Sequence, residues 1–110
     1  MRHKEKVIFR DTSKASGQVE YHVLGLHDWD FFDSLIHFFQ KHYDAEVTNK
    51  TDGVHTRVWQ LRCSGEYFML EHHDDIGNWF YTCNKEGDSQ LMHEISQDLE
   101  DRLNEVPYDS

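Results

Sequence analysis

The chain has 110 residues, with 11 basic against 21 acidic side chains and a formal charge of −10. That length builds one domain with a modest core, and the acidic balance argues against a nucleic-acid ligand, because a carboxylate-rich surface repels phosphates. No apolar run approaches the ~20 residues of a bilayer span and no signal-peptide pattern opens the chain, so a cytoplasmic protein with reduced cysteines is expected. Charge is unevenly spread: Arg2, Lys4, Lys6, Arg10 and Lys14 against Glu5 and Asp11 leave +3 in residues 1–17, so the remainder carries −13.

In chain order, Val7-Ile8-Phe9 and Val19 to Leu24 read as strands, separated by the polar, turn-forming stretch Asp11 to Gly17. From Trp29 to Tyr43 the apolar residues Trp29, Phe32, Leu35, Ile36, Phe39 and Tyr43 recur every three or four positions, which predicts a helix with Asp28 as N-cap. Phe31 and Phe38 widen its apolar stripe, so it is expected to be covered on more than one side.

Ala45 to Lys50 reads as the next strand, joined through Thr51-Asp52-Gly53 to a meander running from Val54 to Asn84. An odd loop with Gly53 left-handed would place Val47 on the face of Trp59. A two-residue turn at Ser64-Gly65 pairs Cys63 with Glu66, Leu61 with Phe68, Trp59 with Leu70 and Arg57 with His72. A four-residue loop at Asp74 to Gly77 then pairs His72 with Trp79, Leu70 with Tyr81 and Phe68 with Cys83. Paired residues share a face, so Trp59, Leu61, Cys63, Phe68, Leu70, Trp79, Tyr81 and Cys83 are expected inside. Val58, Gln60, Arg62, Tyr67, Met69, Glu71, Phe80 and Thr82 are expected outside.

A second helix, Ser89 to Asn104, carries the stripe Leu91, Ile95, Leu99 and Leu103, with Asp88 as cap and Glu94, Asp98, Glu100 and Asp101 outward. Residues 105–110 read as a free tail. The predicted architecture is therefore a single α+β domain spanning 1–110 in the order ββαββββα. It is a two-layer fold, with five or six mainly antiparallel strands and both helices on one face.

Signatures of chemistry are sparse. In this register Cys63 and Cys83 end strands about 9–10 Å apart, beyond the reach of about 7 Å that a disulfide allows between Cα atoms. His72-His73-Asp74-Asp75 gathers potential ligands, with His55 nearby, but neighbouring strand residues point to opposite faces and do not converge on one ion. No serine sits in a nucleophile elbow and no Gly-rich phosphate loop occurs, so no catalytic, cofactor or metal role is assigned to any residue. Arg57, His72 and Trp79 form the one polar corner where a small ligand would be sought, although an edge-of-core Arg whose stem packs on Trp while its head reaches water is the preferred explanation.

The outer face carries Arg62, Tyr67, Met69 and Phe80, residue types enriched at protein interfaces. Together with Glu94, Asp98 and Asp101 on the acidic helix, these are the candidate interface residues. The segment Asp52 to Leu61, with its Gly-containing turn and Arg-x-Trp strand, precedes an apolar strand, Tyr67 to His72, that ends in a carboxylate. In this it resembles a small family of uncharacterised bacterial proteins. The resemblance covers about Val19 to Leu103, implies a bacterial cytosolic origin and an α+β fold, and carries no activity or functional residues with it. The resulting expectation is a non-catalytic interaction or regulatory module with a protein partner, basic in character, or a second copy of the chain. An immunity-type inhibitor of a basic toxin or nuclease is its sharpest form, and a small-ligand or metal-binding domain is the alternative.

Overall fold

Each predicted element forms in the computed structural model, which describes residues 7–25 and 28–105. Arg2, Lys4 and Lys6 of the basic arm, and residues 106–110 of the expected tail, lie outside the described residues. The strands are β1 (Ile8–Thr12), β2 (Val19–Val23), β3 (Glu46–Asp52), β4 (Thr56–Cys63), β5 (Glu66–His73) and β6 (Gly77–Thr82); the helices are α1 (Trp29–Tyr43) and α2 (Gln90–Glu105). They make one six-stranded antiparallel sheet in the order β1-β2-β6-β5-β4-β3.

The topology follows from local signals. Ser64 and Gly65, at φ 52° and 81°, form the two-residue turn whose backbone twist matches that of the flanking strands. The β4–β5 register is accordingly the one expected, from Thr56 opposite His73 to Cys63 opposite Glu66. Helix α1 begins after Asp28, which has extended N-cap backbone angles but makes no side-chain cap bond, and ends at Asp44, left-handed at φ 53°. It carries the chain from β2, inside the sheet, to β3 at its far edge, and the meander β3 to β6 then returns to meet β2.

Both helices bury their stripes in one core. Phe32, Leu35, Ile36 and Phe39 of α1 and Met92, Ile95 and Leu99 of α2 join Tyr21, Leu61, Phe68 and Phe80 of the sheet. The ring of Phe39 meets Phe68 and Phe80 edge-on, with centroids 5.2 and 5.8 Å away. The helices also touch each other, since Tyr43 Oη donates to Asp98 Oδ2 at 2.7 Å. Phe38 packs against the core and stands 6.0 Å from the Arg102 guanidinium. The wide stripe of α1 is thus covered both by the sheet and by α2.

Three elements, β6, β3 and α2, depart from expectation. First, the β5–β6 connection has three residues, Asp74 to Ile76, because Gly77 already pairs with His73. With Gly77 at φ 110°, that odd loop shifts the register by one: Phe68 faces Thr82, Leu70 faces Phe80 and His72 faces Asn78. A one-residue shift exchanges the two faces. Phe80 is therefore fully buried, Thr82 and Asn78 are inside, and Trp79, Tyr81 and Cys83 are outside. Chemistry favours this parity, since Phe has no polar atom to satisfy whereas the Tyr81 hydroxyl finds a partner in Glu71 on the outer face.

Second, Val47 does share the inner face with Leu61, but through a β-bulge between Val47 and Asn49. Gly53 is not among the positive-φ residues, and Asp52 pairs directly with Arg57. Third, the cap of α2 is Ser89, whose Oγ accepts from the Met92 N–H at 3.2 Å. Glu100 of α2 does not face freely outward, because its Oε2 accepts from the backbone N–H groups of Val7 and Ile8 at 2.8 and 3.0 Å.

Candidate functional site

The expected corner exists, with one member changed. Arg57 is buried on the inner face, its guanidinium carbon 4.8, 4.4 and 4.7 Å from the ring centroids of Trp29, Phe32 and Trp59. Its Nη1 donates to Asp33 Oδ1 at 3.1 Å and its Nε to Asp52 Oδ1 at 3.4 Å, while Trp59 Nε1 donates to the same Asp52 oxygen at 2.8 Å. Trp79, expected here, lies on the opposite face, and Trp29 of α1 takes its place, 5.3 Å edge-on to His72.

His72, 1% exposed, lies 3.0 Å by Nδ1 from Asn78 Oδ1 and 2.8 Å by Nε2 from Asp74 Oδ1. Asn78 Nδ2 donates to the Asp28 carbonyl at 3.3 Å, and Asp74 Oδ2 sits 2.9 Å from His55 Nδ1. Hydrogen bonds from His72 and His55 hold the Asp74 carboxyl below the usual carboxylate range. The corner thus spends its polar groups on fastening α1 and two hairpins together, and its cation is already enclosed by rings and carboxylates.

A second cluster was legible only as a helix cap. Asp88 Oδ1 accepts from Tyr21 Oη at 2.6 Å and from the Ser89 N–H at 2.9 Å; its Oδ2 meets Arg10 Nη2 at 2.7 Å and His93 Nε2 at 3.0 Å. Burial alone would raise the Asp88 carboxyl, but the Tyr21 and Arg10 hydrogen bonds outweigh it and hold the group below its ordinary value. Asp88 and His93 sit near a 210 Å³ cleft lined in part by Arg10, Tyr21, His93 and Ser96. An Asp–His pair serves a nucleophile only if one is within reach. Ser96 Oγ instead donates to the His93 carbonyl at 2.9 Å, and each Asp88 oxygen already has two partners, so the cluster works as a fastening between β1, β2 and α2.

Neither thiol is poised for chemistry. Cys63 is buried and donates to the Tyr43 carbonyl at 3.1 Å; Cys83 is exposed on the outer face, where partial burial pushes its thiol up and keeps it protonated. Both are free, and the register places them on opposite faces of the sheet. At the hairpin tip His73 Nδ1 accepts from the Asp75 N–H at 3.0 Å, and no three His, Cys, Asp or Glu residues converge on a common point among the described residues.

The remaining candidate is the outer face of the sheet, which both helices leave uncovered. Across its strands run Phe9, His22, Trp79, Glu71 and Val58 in one row, and Asp11, Glu20, Tyr81, Met69 and Gln60 in the next. Beyond them lie Tyr67 and Arg62. Phe9 is 48% and Tyr67 42% exposed, far above what packed aromatics show. His22 stacks on Trp79 with centroids 5.3 Å apart, and the Trp79 Nε1 is buried with no hydrogen-bond partner. Tyr81 donates its hydroxyl to Glu71, and burial together with that bond lifts the phenol above its ordinary value.

Of the expected interface residues, Arg62, Tyr67 and Met69 lie on this face, with Arg62 Nη2 paired to Glu46 Oε1 at 2.5 Å. Phe80 does not, being buried beneath α1. On α2, Glu94 is exposed, whereas Asp98 takes bonds from Tyr43 and Arg102 and Asp101 accepts from Gln97 Nε2 at 3.2 Å. The acidic helix is therefore partly self-satisfied. Sequence reading missed Phe9, His22, Glu20, Trp79 and Tyr81 as members of the face; the first three needed the β1-β2-β6 order, the last two the corrected register.

The chain matches no known protein family, no curated protein and no solved structure. No helix among the described residues is long and apolar enough to cross a membrane.

Proposed function

We propose that this chain is a non-catalytic protein-interaction module that works in the cytoplasm and docks a basic protein partner on its open sheet face. The carrying observation is that face itself, where exposed Phe9 and Tyr67 flank half-buried Trp79, Tyr81 and Met69 with no helix above them. Aromatic and methionine side chains on an uncovered surface are what interface cores are made of. Charge selects the partner's sign, because Asp11, Glu20 and Glu71 lie on this face and the chain carries −10 overall. A second copy would bring the same carboxylates against themselves, which argues against self-association. Masking of a basic nuclease or toxin is the sharpest form of this reading. Two unpaired cysteines agree with a reducing compartment.

The test is capture from lysate of the source organism with the wild-type chain, with a Phe9→Ser/Tyr67→Ser variant and with Glu94→Gln. One stoichiometric basic protein that leaves at high salt, is lost with the sheet variant and is kept by Glu94→Gln is the expected result. Retention by the sheet variant, or loss only with the helix variant, would overturn the docking face.

A further inference from the structure

We infer, resting on the reading of the open sheet as a docking face, that its β2–β6–β5 part is a seat for an arginine or lysine side chain of the partner. The Trp79 and Tyr81 rings lie there on β6, between the carboxylates of Glu71 on β5 and Glu20 on β2. Glu20 falls beside Tyr81, whose phenol feels its charge, and Asp11 of β1 lies directly across from Glu20.

No Lys or Arg of the described strand residues serves these groups. Arg10 points inward to Asp88, Lys50 lies over the Trp59 ring, and Arg62 stands at the far corner against Glu46. Among the described strand residues the basic group near them is His22, with its Nε2 3.0 Å from Glu20 Oε1 and its ring stacked on Trp79. Each carboxylate accepts about four hydrogen bonds, so the single bonds from Tyr81 to Glu71 and from His22 to Glu20 leave acceptor capacity toward an incoming donor.

The molecule already shows what such a set of groups holds. At the other face Arg57 lies over three aromatic rings at 4.4 to 4.8 Å with the Asp33 and Asp52 carboxylates at its nitrogens. Rings that present a face to a cation, joined with carboxylates that accept its N–H groups, are the chemistry of guanidinium and ammonium recognition. The outer face brings together the same kinds of group, two rings and two carboxylates, with no Lys or Arg of the described strand residues among them.

The probe is a hexa-arginine peptide against its neutral hexa-citrulline counterpart, titrated into the full chain and followed by amide and indole NMR signals. Saturable shifts centred on the Trp79 indole N–H and residues 20–22 and 79–81 are expected with the cationic peptide only. Glu20→Gln and Glu71→Gln should each weaken binding about two- to fivefold, as loss of an exposed charge pair does, while Glu94→Gln leaves it unchanged. Shifts centred on α2, an equal response to the citrulline peptide, or no response would overturn the seat. If that happens while the Phe9→Ser/Tyr67→Ser variant still loses the lysate partner, only the seat is wrong; if that variant keeps the partner, the docking face itself falls.

Discussion

The guanidinium of Arg57 and the ring of Trp29 meet at 4.8 Å, so a buried strand residue is coupled to the first residue of α1. Arg57 thereby joins helix and sheet through cation–π contact and stem packing, and its carboxylate partners Asp33 and Asp52 are about half exposed.

Arg57→Ala should therefore destabilise the chain by about 2–3 kcal/mol, through lost packing against three rings. Asp33→Asn should cost less than about 1 kcal/mol, because an exposed carboxylate is screened by solvent. Urea unfolding midpoints of the two variants, with unchanged slopes, check the order.

The β6 register is tested by a pair of substitutions. Phe80→Ala should cost about 3–5 kcal/mol as a large aromatic removed from a core, whereas Tyr67→Ser, on the exposed outer face, should stay within about 0.5 kcal/mol. Comparable losses in the two variants would return Phe80 to the outer face.

Acid unfolding should report Asp88 and Asp74. Both carboxyls are lowered in the folded state, so the stability they contribute is present above their unfolded value, about 3.9, and is lost as pH falls through the folded values. Unfolding midpoints of the wild type should drop steeply below about pH 4, and Asp88→Asn should flatten that drop.

The alkaline limb has the opposite sign. Burial leads the upward shifts of Tyr21, Tyr43 and Tyr81, reinforced by hydrogen bonds to Asp88, Asp98 and Glu71. Their contribution is complete below the unfolded value of about 10 and declines as pH rises beyond it. Tyrosinate absorbance should show a fraction of the tyrosines ionising only as the chain unfolds; free ionisation of all of them in the folded protein would contradict these bonds.

The legible parts of the fold were those written locally. Ser64-Gly65 dictates its own turn and hence a whole hairpin register, and the three-and-four spacing of α1 gave its limits at Trp29 and Tyr43 without error. The β6 strand misled because both of its parities carry aromatic residues, so the pattern could not choose between Phe80 and the pair Trp79 and Tyr81. The bulge at Thr48 was hidden in a strand almost wholly polar, where no alternation marks a face. The Arg57 corner was found, yet its partners Trp29 and Asp33 come from a helix whose docking the meander does not specify. Asp88 was unreadable as a hub, since Arg10 lies 78 and Tyr21 lies 67 residues away.

The sheet order also has a temporal side. Strands β3 to β6 are joined by short hairpins and can assemble from neighbours alone, but β2 reaches β6 only when the two ends of the chain are brought together. Wherever β2 is undocked, β6 is a bare margin, open to a strand from another molecule. Amide exchange should show β1 and β2 releasing as one unit before β4 and β5, which would place the weakest hinge of the domain beside Trp79.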